Sequence, residues 1–189
     1  MMAMFARRLE LPSRSFFLFG PRGTGKTTWL GLKIPDGEWF DLLRTQRLLD
    51  LMRTPDLFRQ RIESLKEGSW VVVDEIQRMP ELLNEIHSLM NQYPGKYLFA
   101  ITGSSARKLK RGGINLLAGR AVNRQFFPLT GYELDYEFEI DDLLRFGTLP
   151  VVAAETTPEG RIDLLEAYVA NYVREEIQQE AAVKNLDSF

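Results

Sequence analysis

The stretch Gly20-Pro21-Arg22-Gly23-Thr24-Gly25-Lys26-Thr27 lies between the apolar run Ser15-Phe16-Phe17-Leu18-Phe19 and the helix-like continuation Thr28-Trp29-Leu30. It spells G-x-x-x-x-G-K-[ST], the pattern of a phosphate-binding loop between a strand and a helix. Its residue types follow from the chemistry. Glycines let backbone N–H groups turn inward around phosphate oxygens, a lysine reaches the β- and γ-phosphates, and a hydroxyl at the last position can ligate Mg²⁺. On this reading Gly20, Pro21, Arg22, Gly23, Thr24, Gly25, Lys26, Thr27 and Thr28 surround the phosphates, with Lys26 also serving catalysis and Thr27 the metal.

The second landmark is Ser69-Trp70-Val71-Val72-Val73-Asp74-Glu75. An apolar run ending in two acids describes a buried parallel strand whose carboxyl end presents both side chains where ligands bind in open α/β sheets. This is the form of a Walker B strand. Asp74 would hold Mg²⁺ and Glu75 would polarise an attacking water. Small-molecule kinases with a phosphate loop generally lack this water-activating pair, so hydrolysis is favoured over transfer.

Bulk properties set the frame. The 189 residues suit one α/β domain with a short appendage, and 44 % hydrophobic with 26 % charged residues describes a globular chain rather than a disordered or fibrous one. The absence of cysteine excludes disulfides, thiolate nucleophiles and zinc–thiolate sites, which fits a reducing cytoplasm. Arg7 and Arg8 are not followed by the long apolar region of a signal peptide, and no run approaches the roughly 18 apolar residues of a membrane helix. No membrane partner is expected. The net charge of −2 argues against a surface coated by nucleic acid, yet it conceals a gradient. Between Ile86 and Tyr132 there is no acidic residue, while Lys96, Arg107, Lys108, Lys110, Arg111, Arg120 and Arg124 all fall there. Such asymmetry fits a phosphate-facing edge, for a nucleotide or for a DNA or RNA backbone, and equally a solvated basic loop.

Along the chain, residues 14–19 read as a strand buried on both faces, and a helix should run from Lys26 to about Leu32. Glu38 to Leu42 is a second strand and Leu43 to Met52 a helix. Thr54-Pro55-Asp56 starts another, with threonine as N-cap and proline at the first helical position. After the Asp74-Glu75 strand, Met79-Pro80-Glu81 opens a helix with Leu82, Leu83, Ile86, Leu89 and Met90 at helical spacing; His87, the only histidine, reads as a surface or boundary residue on it. Lys96 to Ser105 is a further buried strand ending in small polar residues. Thr102, Ser104 and Ser105 are candidates to sense a γ-phosphate, and Ser104 or Ser105 could instead cap the next helix. Val122 to Pro128 is a fifth strand. Arg120 is the first candidate for a transition-state arginine finger, in cis or in trans, and Arg107 the second; either could equally be an ordinary surface arginine. Beyond Gly131 the composition turns acidic and aromatic. Ile140 to Phe146 should be helical, and residues 158–181 one long helix with Ile162, Leu165, Val169, Tyr172, Val173 and Ile177 on one face.

Gly20 to Thr27, Val72-Val73-Asp74-Glu75-Ile76-Gln77, Thr102-Gly103-Ser104-Ser105, Leu117-Ala118-Gly119-Arg120 and Phe127-Pro128-Leu129-Thr130 resemble, in order and spacing, a family of prokaryotic ATPases of the AAA type. The resemblance covers roughly residues 10–180. It implies an α/β P-loop NTPase fold, a five-stranded parallel sheet in the order 5-1-4-3-2 with helices on both faces, and a C-terminal helical segment. It also implies ATP with Mg²⁺; spacing alone would not distinguish ATP from GTP, although no Asn-Lys-x-Asp guanine-reading motif is present. Family members typically continue into a large C-terminal domain of uncertain function, sometimes described as nuclease-like. Residues 1–131 are thus expected to form the ATPase core and residues 132–189 a helical extension, the start of a shortened second domain. Phe146-Gly147-Thr148-Leu149-Pro150 departs from the family, which more often has two glycines before the proline.

The expectation is an ATPase with Lys26, Glu75 and Arg120 in catalysis, Thr27 and Asp74 at the metal, and Ser104 beside the nucleotide. An arginine acting in trans would require a homo-oligomer. Two other readings stand beside it: a nucleotide-dependent interaction switch with negligible hydrolysis, and an ATPase coupled to DNA or RNA through the loop Lys108 to Arg111.

Overall fold

Strand β1 (Phe16–Phe19) is four apolar residues without a polar break, and all four are buried. Only a strand with neighbours on both edges and helices over both faces can hide such a run. In the computed structural model, which describes residues 5–104, 109, 117 and 119–173, β1 occupies that position. It pairs in parallel with β4 (Tyr97–Gly103) on one side and β5 (Val122–Gln125) on the other, with Phe16 opposite Ala100 and Val122. Strand β3 (Ser69–Asp74) lies beyond β4, and β2 (Glu38–Asp41) forms the far edge. The sheet is parallel throughout, in the order β2-β3-β4-β1-β5, which is the expected 5-1-4-3-2 read from the other edge.

The described chain divides into two compact units, residues 10–20 with 26–126, and residues 5–9 with 21–25 and 127–173. In the first, side-chain alternation along β1 assigns its two faces. Phe17 and Phe19 point to one side, stacked at 5.2 Å. They join the cluster of Phe99, Ile101, Val71 and Val73 that is covered by Leu51 of α2 (Thr45–Arg53), Phe58 and Ile62 of α3 (Asp56–Glu63), and Leu82, Leu83, Ile86 and Leu89 of α4 (Leu82–Gln92). Phe16 points to the other side and meets Trp29 of α1 (Lys26–Lys33) edge-on at 6.3 Å and Trp70 at 5.7 Å. The expected Thr54 cap is not formed: α3 begins at Asp56 with Pro55 at its N-cap position and no side-chain cap, and Thr54 contributes only its carbonyl, which accepts the Leu57 N–H at 3.0 Å. Strand β5 is shorter than the predicted Val122 to Pro128. The Phe126 N–H still reaches the Phe19 carbonyl at 2.7 Å, but Pro128 has no N–H to offer a ladder, and the strand ends at Gln125.

In the second unit, Thr130 and Glu133 form a reciprocal capping box at the short turn Gly131–Leu134. Glu133 also receives Arg7: the guanidinium Nε lies 3.0 Å from its carboxylate, and the two side chains are only 10 % and 5 % exposed. Helices α5 (Ile140–Phe146), α6 (Pro150–Ala153) and α7 (Pro158–Tyr168) follow. The predicted single helix over 158–181 departs from this. Regular α-helix stops at Tyr168 and widens into a π-helical turn, Val169–Val173; residues 174–181, and Ile177 with them, lie outside the described residues. Nor is the predicted apolar stripe buried, since Val169 and Tyr172 are exposed and no residue of α7 is fully covered. Periodicity cannot register either point, because apolar residues four apart read alike in regular and widened turns.

Burial alone would raise the pKa of Glu133. The Thr130 and Arg8 backbone N–H groups and the Arg7 guanidinium outweigh it and hold the carboxyl below the usual carboxylate range. A carboxylate with a lowered native pKa stabilises the fold above its unfolded pKa and loses that contribution as pH falls through the native value. Chemical denaturation should therefore show wild type more stable than Glu133→Gln near neutral pH, with the gap closing as pH falls below about 4. A pH-independent gap would contradict the ion pair.

Candidate functional site

The carboxyl ends of β1, β3 and β4 supply Gly20, Asp74 and Thr102, and the register that pairs Phe19 with Gly103 and Val73 with Ile101 brings these ends to one edge of the sheet. Gly20 is dictated by space. A Cβ there would stand 2.0 Å from the Phe126 carbonyl oxygen, so no side chain fits between β1 and the exit of β5. Gly25 is dictated by backbone: its φ of +89° turns the chain into α1 through a region that L side chains rarely adopt.

Lys26 opens α1 and is 5 % exposed, its ammonium donating to the Gly20 carbonyl at 2.7 Å. One turn of chain thereby encloses a cation beside the helix N-terminus, where backbone N–H groups and the helix dipole both favour an anion. Thr27 follows, and its hydroxyl donates to Asp74 Oδ2 at 2.8 Å across 47 residues of sequence. Asp74 is 1 % exposed; its second oxygen, Oδ1, accepts a short hydrogen bond from the Thr102 hydroxyl. Thr102 Oγ1 in turn accepts the Glu75 N–H at 2.9 Å. One hydroxyl thus satisfies a buried carboxylate and a buried amide together.

Glu75 leaves the strand with φ 63° and ψ 49°, left-handed backbone that costs a non-glycine residue about 1–2 kcal/mol. That bend turns the Glu75 side chain out of the strand's alternation. Its carboxylate, in a residue 7 % exposed, accepts a short hydrogen bond from the Gln77 side-chain amide. Gln77 Oε1 is buried and has no partner among the described residues. Strain at such a position is kept only where the surrounding bonds over-determine it, and here the Thr102 and Gln77 bonds do so.

The predicted site residues fall into three groups. Gly20, Lys26, Thr27, Asp74 and Glu75 converge, and among the three candidates at the end of β4 it is Thr102 that joins Asp74 to Glu75. Thr28 is exposed, Ser104 is half-buried at the end of β4, and Pro21 to Gly25 form the loop tip. Arg120 is exposed and donates to Asn91 of α4 at 2.6 Å rather than to a carboxylate of the site. Ser105, Arg107 and the stretch Lys108, Lys110, Arg111 lie outside the described residues. Gln77 is the contact that a site reading centred on the acids misses, although its two-residue offset from Glu75 is the available signal. Among the described residues no group of three His, Cys, Asp or Glu side chains could hold a metal by itself. One hydroxyl and one carboxylate instead match the partial ligand set of a Mg²⁺ ion that takes its remaining ligands from phosphate and water. No described helix is long and apolar enough to cross a membrane.

Residues 12–134 match the family model of an AAA domain. No curated protein matches the chain. Among solved structures, C. elegans PCH-2 is similar at 18 % identity with a TM-score of 0.44, over 71 % of this chain and 41 % of that one. The chain therefore covers less than half of that one.

Thr102 allows a direct check of the network. Thr102→Val keeps the shape but strands the Glu75 N–H and one Asp74 oxygen, for an expected loss of about 1–3 kcal/mol in denaturant unfolding, whereas Thr102→Ser should lose well under half of that. Equal losses for the two variants would mean that the methyl group and not the hydroxyl matters.

Proposed function

The chain belongs to the AAA domain family, and from that premise we propose that it binds ATP with Mg²⁺ and hydrolyses it. The observation that carries this reading is the 2.8 Å bond between Thr27 and the buried Asp74. It joins the last residue of the phosphate-loop motif to the acid that closes the apolar strand, which is the arrangement a phosphate-bound Mg²⁺ requires.

Each residue then has a definite task. The Lys26 ammonium exchanges the Gly20 carbonyl for phosphate oxygens, and the N–H groups at the start of α1 face the same anion. Thr27 and Asp74 would hold the metal, whose charge, when bound, offsets that of the phosphates. Glu75 orients a water and accepts its proton as the water oxygen bonds to the γ-phosphorus and the bond to the bridging oxygen of the leaving ADP breaks. Thr102 fixes the Asp74 carboxylate relative to the Glu75 backbone. Arg120 is the proposed charge-stabilising finger. Acting in trans from a second copy, it would leave the isolated chain slower by about 10³–10⁵.

A second reading draws on the Glu75–Gln77 bond. With its Oε2 held by the amide, the carboxylate is less free to turn toward a water, which favours a nucleotide-binding switch that hydrolyses slowly until Gln77 lets go. Two variants separate these readings. Lys26→Ala should abolish ATP binding in titration calorimetry. Glu75→Gln should bind ATP as wild type does while single-turnover hydrolysis falls by about 10²-fold or more. Undiminished hydrolysis by Glu75→Gln beside a measurable wild-type rate would remove Glu75 from the proton-accepting role, and a wild-type rate no faster than that of ATP without protein would leave the switch.

A further inference from the structure

We propose that Arg7, locked in place by Glu133, is a positioning residue that holds the phosphate loop's tip in its anion-binding conformation. This rests on the nucleotide reading of the loop. It concerns Arg7, which no motif in the chain singles out.

A loop that offers its N–H groups to an anion must turn its carbonyl oxygens the other way, because an inward carbonyl would set a lone pair against phosphate. Outward carbonyls that are shielded from water then need donors. In the tip Pro21–Gly25 the carbonyls of Pro21, Arg22 and Thr24 have side-chain donors. The Pro21 carbonyl accepts the Thr24 hydroxyl at 2.9 Å, the Arg22 carbonyl accepts the Tyr168 hydroxyl at 3.2 Å, and the Thr24 carbonyl accepts Arg7 Nη1 at 2.6 Å. The last is the shortest of the three and the only one with a charged donor, the type of hydrogen bond with the greatest strength. It also falls on Thr24, a fully buried residue immediately before the positive-φ Gly25, where a rotated peptide would point its carbonyl into the loop.

The other nitrogens of Arg7 explain why it can act as a fixed strut. Nη2 donates to the Phe127 carbonyl at 2.6 Å and Nε to Glu133 Oε1 at 3.0 Å. Glu133 is itself held by the Arg8 N–H at 2.9 Å and the Thr130 N–H at 3.0 Å. A planar guanidinium spans three acceptors in a set geometry; an ammonium on a flexible stem cannot. The capping box at Thr130 therefore reaches the phosphate loop through a single side chain.

The test is ATP binding by titration calorimetry, with Mg²⁺ present, on wild type, Arg7→Ala, Arg7→Lys and Glu133→Gln, each checked for a cooperative melt. Arg7→Ala should bind about tenfold more weakly or worse. Millimolar methylguanidinium should restore much of the loss, a rescue that a residue serving only to anchor the N-terminal segment would not show at the loop. Arg7→Lys should remain weak without added guanidinium. Should Arg7→Ala fail to fold, Glu133→Gln decides: a severalfold weaker affinity supports the strut, and unchanged affinity overturns it. Wild-type affinity in folded Arg7→Ala also overturns it. Absence of ATP binding by wild type itself would instead remove the nucleotide reading on which the proposal stands.

Discussion

A carboxylate buried to 1 % exposure is tolerated only if hydrogen bonds replace the water it has lost, and Asp74 obtains them from two threonines on two different elements. Thr27 approaches from the first turn of α1 and Thr102 from the end of β4, so the carboxylate at the tip of β3 ties together three neighbouring pieces of the sheet edge. Thr102 passes the constraint on, since the same oxygen that faces Asp74 takes the N–H of Glu75 and fixes the left-handed bend after the strand. Thr27 directly, and Glu75 through Thr102, are positioned by that buried and satisfied acid.

The same edge is built around anions from the backbone outward. Gly20 has no room for a side chain, Gly25 turns the chain into α1, and Lys26 is kept inside by the Gly20 carbonyl. The cation and the acids are both enclosed, and their charges complement those of the metal-bound nucleotide proposed above. Glu75 is the strained member, and its bond to Gln77 gives the strain a function in the reading proposed above.

Much of this was legible in the chain because it is written locally. The apolar run before Gly20 gives a strand with two covered faces, the loop spelling gives the turn and the helix N-terminus, and Val71 to Asp74 gives a second buried strand with an acid at its end. Sheet order came from the resemblance rather than from periodicity. What was not legible depends on contacts between distant residues. Nothing in Thr102-Gly103-Ser104 says which hydroxyl meets Asp74; that follows from β4 lying beside β3 in a register seen only in three dimensions. Arg7 lies 126 residues from Glu133, and neither carries a periodic signal, although the Thr130-x-x-Glu133 spacing does mark a capping box. The widened turn after Tyr168 and the early end of β5 escaped for a related reason, because apolar spacing records which residues could be covered and not where a turn loosens or a proline stops a ladder.

We propose that Lys26, Thr27 and Asp74 hold one metal-bound nucleotide. Titration calorimetry of the wild-type chain with ATP, first with Mg²⁺ and then with the metal chelated, tests it most directly. One binding event per chain is expected, with affinity markedly weaker once Mg²⁺ is removed. No binding at millimolar ATP, or binding indifferent to the metal, would contradict it.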